Sequence, residues 1–284
     1  MTGVQTCALP IFEHRIADRR ILRFVAKWLK VGTVEDGRVT RGVRGAPQGA
    51  VVSPILANIY LHYVYDLWVH QWRRAKATGD VIVVRYADDT ITGFEHEGEA
   101  RAFLQELQER MHTFDLALHP DKTRLIRFGR HAVKQRENLG EGKPETFDFL
   151  GFTHFCRRSH KSGTFVIGRK TIKKRMRAKL RTIKGELRRR MHNPPETTGA
   201  WVKQVLQGHL NYFAVSGNNP SLWCFSNEVR RQWLRSLRRR SQKAFLTEER
   251  FTLLTNRFFP PIRILHPLPC HRFDARTQGR SPVR

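Results

Sequence analysis

The chain has 284 residues, with Lys+Arg 52 against Asp+Glu 25 and a formal net charge of +27. Such a field attracts polyanions, nucleic acid ahead of an anionic membrane surface. No run of about 18 apolar residues is present, which argues against a membrane-spanning segment. A hydrophobic content of 40% is enough for a core. The cysteines, at 7, 156, 224 and 270, form no C-x-x-C pair. This disfavours zinc and fits a reduced, intracellular, cytoplasmic protein.

The opening MTGVQTCALPIF lacks the positive start of a signal peptide and has no helical or strand period. It resembles translated sequencing-adapter DNA. From His14 to Lys30, Ile16, Ile21, Val25 and Leu29 keep a roughly helical spacing. Asp36-Gly37 between short β-branched runs predicts a hairpin. A small-residue loop follows, RGAPQGAVV. Ser53 then reads as an N-cap and Pro54 as the first helical residue, with Leu56, Ile59, Tyr60, Tyr63, Val64 and Leu67 on one apolar face.

Residues 81–94, VIVVRYADDTITGF, predict strand, turn, strand. The apolar run Val81-Ile82-Val83-Val84 implies a buried strand. Residues 98–114 predict a helix with Phe103, Leu107, Met111 and Phe114 on one stripe. LALHPDKTRLIRFG predicts a turn at Pro120-Asp121 and then a strand. FDFLGFTHF predicts another strand, broken by Gly151. The order is α+β.

The composition shifts near residue 156. Residues 157–190 hold fifteen Lys/Arg and one acid, Glu186. Within them Ile172, Met176, Leu180, Ile183 and Leu187 form a helical stripe, so the rest of the helix circumference is basic. HNPPETTG reads as a linker, and helices follow at about 198–213 and 221–243. The tail FFPPIRILHPLPCHRF is too rich in proline for regular structure.

Asp88-Asp89 at the tip of a strand pair is the chemical feature. Alone, a double Asp is commonly a solvated turn. Here the turn has no glycine to ease it. A hard divalent cation takes oxygen ligands, one or two carboxylates with substrate phosphates, and relieves the repulsion between adjacent carboxylates.

Tyr86-Ala87-Asp88-Asp89 with its strands resembles the palm hairpin of group II intron reverse transcriptases. APQG at 46–49, SPILANIYL at 53–61, LALHPDKT at 116–123 and FDFLGF at 147–152 match that family in the same order. LQGHLNYFAVSGN at 206–218 resembles its thumb, or maturase, domain. The resemblance covers about residues 13–275. It implies a partial fingers and palm over 13–156, a basic helical thumb/maturase domain over 157–250 and a Pro/Arg-rich tail over 251–284, behind the adapter-like 1–12. It implies RNA-directed DNA polymerase chemistry with two Mg²⁺ ions, Asp88 a catalytic metal ligand and Asp89 beside it.

The same resemblance sets Gln48 against the incoming nucleotide, with Gly49 allowing close backbone approach. Arg85 and Tyr86 border primer or nucleotide, although Tyr86 fits a core as well. Lys122 stands near the nucleotide phosphates, unless it is a solvated turn lysine. Leu150 and Gly151 lie in the strand that grips the primer end. Lys173, Lys174, Arg177, Arg181, Arg231 and Arg235 are candidate RNA contacts. The expected partners are intron RNA, an RNA template with DNA primer, dNTP and a second copy of the chain, with no membrane.

Polymerase sites of this class need another strand-borne carboxylate, which the family carries upstream of the segment resembling 13–30. Asp18, Glu35, Asp36, Asp66 and Asp80 each have another explanation. The expectation is therefore an N-terminally truncated enzyme with an incomplete metal site, inactive alone and without an HNH-type endonuclease cluster. The alternatives are a non-catalytic RNA-binding splicing factor, which uses the basic helices and ignores the Asp pair, and a damaged pseudogene product.

Overall fold

A computed structural model describes residues 9–30, 33–35, 38–40, 52–159, 163–240 and 246–266. The chain divides into two compact units, which among the described residues run up to Leu125 and from Ile126 to His266. The fold is mixed helix and sheet with small antiparallel sheets, as the α+β expectation holds.

In the first unit residues 9–13 are helical, and Phe12 is buried in the core beside Leu9 and Ile11. Helix α1 (Arg19–Lys30) follows, with Asp18 Oδ1 accepting from the Arg20 amide at its start. Val25 and Leu29 face the core, with Leu22 packed beside them, while Ile21 is exposed. Of the expected stripe, Ile16, Val25 and Leu29 meet the core and only Ile21 does not, Leu22 taking its place. Strands β1 (Thr33–Glu35) and β2 (Arg38–Thr40) pair antiparallel, as the Asp-Gly signal requires.

Helix α2 (Ser53–Leu61) begins one residue earlier than the capping pattern implies. Val52 holds the cap position, its carbonyl accepting from the Ile55 and Leu56 amides, and Ser53 is already helical. The helix runs into a π-helical turn (His62–Asp66) and then α3 (Leu67–Lys76). This turn explains a second departure. The extra residue shifts the phase of the stripe, so the buried set continues as Val64, Tyr65, Val69 and Trp72, and Leu67 turns out to solvent. Arg110 supports the turn from the side, its Nε donating to the Val64 carbonyl at 3.2 Å.

Strands β3 (Val81–Tyr86) and β4 (Asp89–Phe94) form a hairpin with Tyr86 opposite Asp89. Helix α4 (Glu97–Thr113) buries Phe103, Leu107 and Met111 as its spacing requires. The expectation of a fully buried β3 fails. Val81, Val83 and Arg85 face the unit, whereas Ile82, Val84 and Tyr86 are exposed. A two-stranded sheet has one face on the core, and nothing described covers the other.

The strand expected after Pro120-Asp121 is also absent. The turn is there, but residues 123–128 are irregular, because no neighbouring strand takes their backbone groups.

The second unit opens with α5 (Ala132–Asn138) and a three-stranded sheet of β5 (Phe147–Phe149), β6 (Phe152–Arg158) and β7 (Phe165–Thr171). The sheet crosses the composition shift near 156. FDFLGF is therefore two strands and a reversal rather than one broken strand.

Helices α6 (Lys173–Arg189), α7 (Pro195–Phe213), α8 (Asn219–Arg238) and α9 (Glu248–Phe258) complete it. Their core contains Leu180, Ile183, Leu187, Val202, Leu206, Phe225, Val229, Trp233, Phe251 and Phe258. The expected linker shrinks, because Pro195 starts α7 and Thr198 and Gly199 are buried inside it. Helix α9 is an addition to the elements expected. Thr247 caps it, its side chain accepting from the Arg250 amide.

Candidate functional site

The YADD tip is a two-residue reversal. Ala87 has φ +54° and forms the loop with Asp88, while Asp89 returns into the ladder. Left-handed backbone strains any residue with a Cβ, so surrounding contacts have to hold Ala87 there. Arg85 supplies them. Its Nη1 donates to the Ala87 carbonyl at 2.9 Å and to Asn58 Oδ1 at 2.9 Å. Its Nε and Nη2 make a two-pronged pair with Asp66, at 2.7 and 2.6 Å. The Arg85 side chain is only 15% exposed. The bonds to Asp66 hold its guanidinium even more firmly in the charged form than usual.

The neighbouring residue of the π-helical turn grips the other strand. Tyr65 is buried, its hydroxyl lies 3.1 Å from Thr92 Oγ1, and burial raises its pKa. Consecutive side chains, Tyr65 and Asp66, thus reach β4 and β3.

Asp88 and Asp89 are exposed and make no side-chain hydrogen bond or ion pair among the described residues. Two negative groups therefore stand together with no basic side chain paired to them among the described residues. They offer hard oxygen donors, the kind Mg²⁺ takes. Among the described residues no group of three or more His, Cys, Asp or Glu could by itself hold a metal ion. The donor set is two carboxylates, which suits a cation that takes its remaining ligands from substrate phosphates and water. Tyr86 is 63% exposed on the face opposite Arg85. Lys122 is an exposed residue of the turn after α4 whose amide donates to the His119 carbonyl. Gln48 and Gly49 lie outside the described residues.

A second hairpin reversal stands in the other unit. Phe149 pairs with Phe152, and the loop residues Leu150 and Gly151 have φ +46° and +83°. The Leu150 carbonyl accepts from the Tyr212 hydroxyl at 2.9 Å. Phe152 stacks on Tyr212, and Phe213 meets Phe152 edge-on. A Cβ on Gly151 would lie 3.3 Å from the Phe213 ring. Fully buried Asn218 closes the arrangement. It accepts from the Thr171 amide and donates to Thr171 Oγ1 and the Phe213 carbonyl, each at 2.9 Å. The segments FDFLGF and LNYFAVSGN, far apart in sequence, are thus one local structure.

The candidate RNA contacts Lys173, Lys174, Arg177 and Arg181 are all exposed on α6 and unpaired among the described residues. On α8, Arg235 is exposed, and exposed Arg231 pairs with Glu228 at 2.6 Å. Of the aromatic residues, Trp233 is core, and Tyr212 and Trp223 are exposed.

Residues 10–154, just over half of the chain, match the reverse transcriptase (RNA-dependent DNA polymerase) family. The chain belongs to that family. The reverse transcriptase match takes in both reversals and ends before helices α6 to α9, of which α6 and α8 are strongly basic. Among curated relatives, an uncharacterized 91 kDa protein in the cob intron of Schizosaccharomyces pombe is 41% identical over 54 residues, 19% of this chain and 7% of its own length. Protein YkfC of Escherichia coli is 27% identical over 163 residues, 45% of this chain and 43% of its own length. The group II intron-encoded protein LtrA of Lactococcus lactis is 38% identical over 52 residues, 18% of this chain and 9% of its own length. The chain thus spans less than half the length of each of these relatives.

The roles of Asn58, Asp66 and Tyr212 at the two loops do not follow from the sequence pattern. The available signal for two of them was a pair of polar residues, Asn58 and Asp66, interrupting the apolar run NIYLHYVYD.

Proposed function

We infer that this reverse transcriptase-family chain is part of a group II intron-encoded protein, an RNA-directed DNA polymerase with an RNA-binding splicing role. The observation that carries the polymerase reading is the unneutralised Asp88-Asp89 pair on a held, strained hairpin. In this reading residues 13–156 supply fingers and palm, and the basic helices over 157–250 supply the thumb and maturase surface. Relatives from intron reading frames support the assignment.

Asp88 and Asp89 would hold Mg²⁺, and the ion would supply charge stabilisation for attack of a primer 3′-hydroxyl on the α-phosphate of a nucleotide, with pyrophosphate as the leaving group. Gln48 and Gly49 border the nucleotide, Lys122 faces its phosphates, and Tyr86, Leu150 and Gly151 border the primer. Because the described donor set is two carboxylates, the 284-residue chain has at most trace polymerase activity.

A second reading, a non-catalytic RNA-binding splicing factor, is favoured by one observation. Lys173, Lys174, Arg177 and Arg181 of α6, unpaired among the described residues, lie outside the polymerase match. Each phosphate contact they make adds to the salt dependence of RNA binding.

Primer extension on an RNA template tests both. The chain is expected to bind a template–primer duplex with a steep salt slope and to extend it only in trace. Asp88→Ala abolishes the trace and leaves binding intact. Extension indifferent to Asp88→Ala overturns the role of the pair. Robust extension by the unaltered chain overturns its inactivity.

A further inference from the structure

The geometry points to Arg85 as a positioning residue, one that sets the conformation of the Asp88-Asp89 tip rather than meeting primer or nucleotide. This inference rests on the reading that the Asp pair holds a divalent cation, and it deepens that reading by naming what holds the pair.

Four observations converge. First, the guanidinium is engaged inside the protein, with Asp66, Asn58 and the Ala87 carbonyl taking four of its five N–H donors. Little of it remains for a ligand, since the side chain is 15% exposed. Second, the Ala87 carbonyl belongs to the residue before Asp88, and Ala87 is in the left-handed region that needs outside support. Third, Asp66 is the last residue of a π-helical turn, and such turns commonly mark functional positions. Fourth, Tyr65 beside it reaches Thr92 on the returning strand, so the same turn steadies both strands of the hairpin.

A planar fork suits this duty. Only guanidinium can hold a carboxylate with two parallel bonds while its third nitrogen reaches an amide oxygen and a backbone carbonyl. The carboxylate also offsets the Arg charge, so a cation close to the adjacent turn residues is not simply repelled. Outer-shell partners of this kind commonly change metal affinity by about 10–100-fold when removed.

The test uses Mn²⁺ as the probe, titrated into the purified 284-residue chain and read by electron paramagnetic resonance. Far-ultraviolet circular dichroism and a thermal melt confirm folding of each variant. Arg85→Gln decides the matter, because positioning and plain electrostatics predict opposite signs. Removing a positive charge near two carboxylates tightens cation binding by Coulomb attraction alone. Loss of positioning weakens it, and the expected result is about tenfold weaker binding.

The double variant Asp66→Asn/Arg85→Gln is expected to match Arg85→Gln alone, since both break one device. Arg85→Lys, which keeps the charge and loses the fork, carries the test where Arg85→Gln does not fold. It too is expected to weaken binding. Tighter or unchanged Mn²⁺ binding in a folded Arg85 variant overturns the inference. The double variant Asp88→Asn/Asp89→Asn separates this from failure of the underlying reading. If it leaves Mn²⁺ affinity unchanged, the pair is not the cation site, and the positioning role falls with it.

Discussion

The two hairpin reversals are built on one plan and held by opposite means. Each has a two-residue loop whose first residue, Ala87 or Leu150, is a non-glycine at positive φ. In each, the carbonyl of that residue accepts a side-chain hydrogen bond of 2.9 Å. The donor for Ala87 is a guanidinium tied to Asp66 and Asn58. The donor for Leu150 is a tyrosine on a helix whose rings pack against the loop. The first tip leaves two carboxylates free in solvent, whereas the second presses its glycine on an aromatic wall. Polar support leaves the first tip exposed to solvent, and apolar support packs the second against rings of the helix.

The comparison breaks most sharply at Gly151. Valine there meets both a φ of +83° and the Phe213 ring, whereas valine at Ala87 meets a φ of +54° alone. Gly151→Val is expected to cost about 3 kcal/mol and Ala87→Val about 1–2. Urea unfolding followed by circular dichroism checks both. Equal losses would show that the aromatic wall yields.

Acid discriminates between the two supports next. His209 is buried, stacked on Phe213 and Phe225, and its Nε2 has no hydrogen-bond partner among the described residues. Burial, assisted by Lys179, pushes its pKa down to about 4 from the ordinary 6.5. The unfolded chain therefore binds a proton between pH 6.5 and 4 that the folded chain refuses. Stability is full above pH 6.5 and falls as the pH drops toward 4, by on the order of 2–3 kcal/mol. His154, stacked on Phe147 in the same sheet, is shifted down by burial as well and adds in the same direction. Arg85, its pKa raised, stays charged throughout. Melting midpoints across this window are expected to slope in the wild type and to flatten in His209→Leu. A slope unchanged by that substitution removes His209 from the account.

A smaller effect comes from the Tyr212 hydroxyl. Tyr212→Phe keeps the ring stacked on Phe152 and removes only the bond to Leu150. The expected cost is about 1 kcal/mol, read as a lower urea midpoint at constant slope. A cost near zero would mean that packing alone holds the second loop.

These two loops also mark how far the sequence could be read. The hairpin at 86–89 and the stripes of α4 and α6 follow from local periodicity, and the structure has them. FDFLGF and LNYFAVSGN were each visible, yet their union at Gly151 was not, because ring packing between distant segments leaves no periodic trace. The π-helical turn was hidden for a related reason. Its extra residue is stabilised from outside, by Arg110 on the Val64 carbonyl, and it moved Leu67 out of the stripe. The destination of Arg85 depended on Asp66 being turned toward it, which spacing on a regular helix does not imply. The strand expected over 123–128 failed for want of a partner strand, a property of its surroundings.

The finest test separates strain from position at the first loop. Ala87→Gly relieves the left-handed backbone, which favours the fold. It also gives the unfolded chain more freedom, which opposes it by about 0.4–1 kcal/mol. The difference is expected to be a gain of about 0.5 kcal/mol, a small rise in the melting midpoint. Mn²⁺ affinity is expected to move the other way, about twofold weaker, because glycine lets the Asp pair sample orientations that Ala87 forbids. Opposite signs in the two measurements would show that the strained alanine serves the carboxylates and not the fold. Two shifts of the same sign would return Ala87 to an ordinary turn residue and leave the orientation of the tip to Arg85 and the π-helical turn.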